Sequence, residues 1–194
     1  MGTTQTVRAR PTLTTDRVLH AWLAAHRDTR RIVTAACLTA AALALVLPGP
    51  LAIRGALVAS GVLLALAALV DLHEQKLPNR LLASALVVTV AGAVASLQLA
   101  VVARCVAGLL LGGGLLLLVR LVRGVGMGDV KMAGVVGASV ASFHLLGAPI
   151  AIAVAAFSAS AYAVATRRQR LVLGPALWFG WASTLVTLAL RWWA

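Results

Sequence analysis

Five acidic residues in a chain of 194 leave little carboxylate chemistry to choose from, and two of them, Asp16 and Asp28, fall in the polar N-terminal stretch. The others are Asp71, Glu74 and Asp129. Asp71 closes the apolar run Val62 to Val70 and is followed by Leu72-His73-Glu74-Gln75-Lys76-Leu77-Pro78-Asn79. Asp129 lies in Gly124-Val125-Gly126-Met127-Gly128-Asp129-Val130-Lys131, just ahead of another apolar run. A charged residue toward a bilayer centre costs about 2.5 to 3.5 kcal/mol, so an acid flush with an apolar run calls for a polar partner or a task. Two such acids at one depth can share a water. They cannot both ionise cheaply at close range, so one keeps a proton and the pair titrates as a unit. The ionised member can then take a proton from water while the protonated member polarises a carbonyl, which is hydrolysis of the aspartyl-protease type. Helix polarity makes Asp129, near a helix N-terminus, the expected ionised partner and Asp71, near a C-terminus, the expected proton holder. The glycines at 124, 126 and 128 permit a tight or mobile backbone that lets the two acids stand apart at rest.

The remaining polar residues offer less. Glu74 reads as a solvated loop acid one turn from Asp71, and His73 has no neighbours at metal-ligand spacing, so no metal or cofactor is expected. Lys131 is read as a basic anchor at the membrane edge, with orientation of Asp129 as its alternative role. His144 falls on the opposite face. Cys37 and Cys105 stand alone in apolar runs, without the spacing of a zinc site or redox pair, and read as small packing residues.

The elements that must position the two acids are membrane helices. At 61% hydrophobic and 11% charged, the chain is far more apolar than soluble domains, which average roughly 45 to 50%. Apolar segments at 32–47, 52–71, 81–100, 102–122, 130–146, 148–166 and 175–193 predict an all-α polytopic membrane protein with about seven transmembrane helices. The expected organisation is a basic cytoplasmic segment over 1–30, one additional N-terminal helix over 31–50 and a six-helix core over 51–194. Val18, Leu19, Trp22 and Leu23 recur at helical spacing among arginines, which suits an interfacial helix or, equally, a disordered basic tail. The first apolar run ends in Pro48-Gly49-Pro50; it is read as a retained helix, with a signal peptide as the alternative. Gly108, Gly112, Gly113 and Gly114 predict close helix packing in the fourth segment.

The net charge of +12 lies in clusters between apolar segments, which speaks for topology and against nucleic-acid binding. Fourteen of the 17 Lys and Arg residues fall on one face. Basic residues stay cytoplasmic, so the N-terminus is expected inside, the C-terminus outside, and both aspartates at the cytoplasmic boundary.

With these residues in place, the sequence resembles the type IV prepilin peptidases, membrane aspartyl proteases of the GxGD type. Six residues separate Asp71 from Pro78-Asn79, like the family's aspartate and Leu/Ile-Pro-Asp/Asn stretch, and Gly126-Met127-Gly128-Asp129-Val130-Lys131 is similar to its G-x-G-D-x-K. Gly174-Pro175-Ala176-Leu177 looks like its late Gly-Pro motif. The resemblance spans about residues 52–193 and implies that Asp71 and Asp129 form the catalytic pair. Pro78, Asn79, Gly126, Gly128, Lys131, Gly174 and Pro175 would be supporting positions. It implies removal of a short basic leader from prepilin or pseudopilin precursors in the cytoplasmic membrane. Residues 1–51 lack the paired CxxC motifs of the long form, so the likeness is to the peptidase-only type of Flp or Tad pili, without an implied N-methylation. Two rival readings are a non-catalytic scaffold of a pilus or secretion system and a small proton-coupled transporter. Neither the substrate's identity nor the oligomeric state is legible.

Overall fold

The computed structural model describes residues 27–123, 125–167 and 173–193. Seven helices run through them: α1 (Arg27–Val46), α2 (Leu51–Glu74), α3 (Asn79–Ala95), α4 (Leu99–Arg123), α5 (Met127–Ala141), α6 (Gly147–Thr166) and α7 (Leu173–Trp193). The chain is an all-α polytopic membrane protein, with no strand among the described residues. Most of the expected interfacial helix within 1–30, Gly124 and the side chain of His73 lie outside them. The bundle considered below is the compact unit Val33–Ala194.

Among the described residues, four helices are long and apolar enough to cross a membrane, over Leu51–Leu72, Leu99–Val122, Gly147–Thr166 and Leu173–Arg191. The apolar parts of α1 and α3 are shorter, and α5 has only 15 residues. Its shortness follows from its place. From Met132 to Ala141 every α5 residue is buried, and it packs against α3, α4, α6 and α7. A helix surrounded by protein has no need to match the lipid thickness, because its neighbours satisfy it.

Small residues make this central position possible. Gly108 and Gly112 of α4 lie against the backbone of Gly137 and Ala133 on α5, where an added Cβ would strike a carbonyl oxygen. Without a hydrophobic drive between helices in lipid, such backbone approach supplies the packing energy. The expectation drawn from the α4 glycines thus holds at 108 and 112, but Gly114 faces open space. Of the two cysteines, Cys105 is buried and Cys37 half-buried, and neither forms a disulfide.

α7 is fixed by two indoles. Trp178 Nε1 donates to the Gly61 carbonyl of α2 at 3.2 Å, and Trp181 Nε1 donates to Ser139 Oγ of α5 at 3.1 Å. Gly61 also leaves room for the Trp181 ring, which a Cβ there would meet. Tryptophan is well suited to this, since a large apolar body and a single donor set both position and rotation. These ties deliver the start of α7 to the end of α2.

Candidate active site

Asp71 occupies the last turn of α2 and is 6% exposed. The helix stops three residues later. Gln75 adopts a left-handed conformation (φ 52°) and its N–H donates to the Asp71 carbonyl at 3.0 Å, the hydrogen bond of an αL cap. Pro78 then serves as N-cap of α3, and its fixed φ turns the chain back into the bundle.

The carboxylate of Asp71 is held from a distant part of the sequence. The Gly174 N–H donates to Asp71 Oδ2 at 3.0 Å. Gly174 lies in the first turn of α7, where backbone N–H groups lack intrahelical acceptors, so one is available for a carboxylate. Pro175 follows in the same turn, where its missing N–H costs nothing. A Cβ on Gly174 would lie 2.6 Å from Oδ2 and 3.0 Å from Asp71 Cβ, so the contact requires glycine. The late Gly-Pro stretch therefore belongs to the Asp71 environment.

Asp129 sits in the first turn of α5, as the third residue of the helix instead of immediately before it, with Gly126 as N-cap. Its carboxylate folds back toward the Gly126 N–H, which favours the charged form. A side chain on Gly126 would come within 2.9 Å of Asp129 Oδ2, so glycine is needed here too. Asp129 lies ahead of the apolar run that begins at Val130. Burial, and secondly the charge of Asp71, push its carboxyl up to about 6, against the opposing pull of the Gly126 N–H.

At Asp129 the helix N-terminus is opposed by burial and by the charge of Asp71, which raise its carboxyl.

The two aspartate-bearing turns also touch each other. Leu77 packs on Gly128, where a Cβ would lie 2.9 Å from Leu77 Cβ. Lys131 Nζ donates to Asn79 Oδ1 at 3.0 Å, across 52 residues of sequence. Lys131 thus reaches the α2–α3 turn, whereas the sequence offered only an edge anchor or an orienter of Asp129. Glu74 is exposed, as a solvated acid should be. Asp71, Asn79, Gly126, Gly128, Asp129, Lys131 and Gly174 all meet at one end of the bundle, while His144 lies in the connection at the other end of α5. Trp178 and Trp181, which seat α7, went unnoticed in the sequence. Their spacing of three on one helix face was the available signal.

A family model described as the type IV leader peptidase family matches residues 58–164, more than half of the chain. The chain belongs to the type IV leader peptidase family. The matched region takes in both aspartates and ends before α7, so Gly174 lies outside the match and is brought to Asp71 by the fold. No curated protein and no solved structure matches the chain.

Proposed function

We propose that this leader peptidase is an aspartic endopeptidase of the cytoplasmic membrane, that Asp71 and Asp129 are its catalytic residues, and that it removes the short basic leader of prepilin or pseudopilin precursors. The observation that carries the reading is the contact between the two aspartate-bearing turns, Leu77 on Gly128 and Lys131 on Asn79, with both acids inside the family match. In this reading the six helices from residue 51 onward form the peptidase core. The excess of basic residues on the aspartate face supports a cytoplasmic site, an N-terminus inside and a C-terminus outside.

The division of labour follows from the local contacts. Asp71, held by the Gly174 N–H, acts as the base. Asp129, with its carboxyl raised to about 6, acts as the acid. A water between them attacks the scissile carbonyl, giving its proton to Asp71 as Asp129 protonates the carbonyl oxygen. Collapse of the tetrahedral intermediate breaks the C–N bond, the departing amine takes the proton from Asp71, and the carbonyl returns its proton to Asp129. Both carboxyls are thereby restored for a second cycle.

The test is co-expression with a prepilin and an electrophoretic readout of leader loss. Asp71→Ala and Asp129→Ala should each lower cleavage by roughly 10² to 10⁴-fold, the range of a general acid or base, while the protein still inserts and accumulates. Undiminished cleavage by either variant would falsify the mechanism. A scaffold predicts indifference to both substitutions, and a transporter predicts pH-driven flux without leader removal.

A further inference from the structure

We propose that Lys131 is a positioning residue that, through Asn79, clasps the turn following Asp71 to the helix carrying Asp129. The inference rests on the reading of the two aspartates as the working pair. Asp71 ends α2 and Asp129 begins α5, and the two helices are far apart in sequence. Their relative placement depends on what joins the intervening turns. Two contacts do so. Leu77 lies on the bare face of Gly128, and Lys131 Nζ donates to Asn79 Oδ1 at 3.0 Å.

The two contacts differ in what they can specify. A leucine on a glycine sets how close the turns come but leaves them free to slide. A hydrogen bond from an ammonium to an amide oxygen is directional and fixes register. Lys131 lies two residues beyond Asp129, and Asn79 is the first residue of α3, immediately after Pro78. A slip of the α2–α3 turn is thus opposed at a point rigidly connected to Asp129. The lysine is exposed, so its bond competes with water and its contribution is modest. Gly174 continues to hold Asp71 from α7 when the clasp is broken.

The first measurement is leader cleavage by the full-length protein in bilayer vesicles. Lys131→Met and Asn79→Leu should each lower kcat roughly three- to tenfold with KM unchanged, the effect expected from one hydrogen bond. The double variant should be no worse than either single one, because both remove the same bond. Asn79→Asp keeps the acceptor and should retain near-wild-type kcat.

The second measurement needs no substrate. Spin labels at exposed Lys76 and Met127 report the separation of the two turns. A narrow distance distribution in the otherwise wild-type protein that broadens with Lys131→Met supports the clasp. An unchanged distribution, or additive losses in the double variant, overturns it. Failure of the wild-type protein to remove any leader would sink the functional reading, while the labels would still decide the clasp.

Discussion

Glycine serves opposite purposes at the α4–α5 seam and at the aspartate end of the bundle. Along the seam, Gly108, Gly112 and Gly137 let two backbones meet, and what they accommodate is another helix. At the aspartate end, Gly126, Gly128 and Gly174 accommodate a carboxylate or the turn beside it. A substitution at the seam should therefore act on assembly of the bundle. One at the site should act on alignment, in a protein that still folds.

The largest effect expected from this contrast is at the seam. Gly112→Val would drive a branched side chain into the carbonyl of Ala133. It should cost about 3 kcal/mol or more, the upper end for overpacking, read as loss of folded protein in a denaturant titration in detergent micelles. Gly174→Ala should leave that titration nearly unchanged. Its methyl would displace Asp71 Oδ2, and misplacement of a reacting group by about 1 Å costs up to roughly 100-fold, so cleavage should fall by roughly ten- to a hundredfold. Equal destabilisation by the two substitutions would erase the distinction.

A smaller effect concerns pH. If Asp129 must hold a proton, kcat/KM should decline as pH rises through about 6, because a carboxyl raised to that value is protonated below it and charged above it. Asp71→Asn removes the neighbouring charge that contributes to the rise, so Asp129 should titrate at lower pH in that variant. Infrared spectroscopy of the carboxyl band would show this independently of turnover. At the bottom of the scale, Gly114 faces open space. Gly114→Ala should leave cleavage intact and stabilise the helix by about 0.5 to 1 kcal/mol.

The same contrast explains how far the sequence could be read. Asp71 and Asp129 were legible because acids are scarce in this chain, and the helices because membrane spans need uninterrupted apolar runs. The contact from Gly174 to Asp71 was not, because 103 residues separate the partners and a backbone N–H has no sequence signature. The Lys131–Asn79 bond is hidden for a related reason, since a lysine at a membrane edge ordinarily serves as an anchor. The rise at Asp129 was hidden as well, because helix polarity is visible locally, whereas burial and a neighbouring charge arise only from packing. α5 reads as one apolar span among several. That it is the buried centre follows from its neighbours' small residues, and a mostly apolar segment has no polar face to reveal which side is covered.

The brevity of α5 has a consequence for water. Fifteen helical residues extend about 22 Å, against about 30 Å for a hydrocarbon layer. Its two ends therefore cannot both meet the aqueous boundaries, and roughly 8 Å of depth must be made up by something other than this helix. The polar first turn containing Asp129 is the end suited to that gap. Solvent can dip toward the carboxyl there while the longer neighbours keep the surrounding lipid at full thickness, so a hydrolytic step need not draw its water through oil.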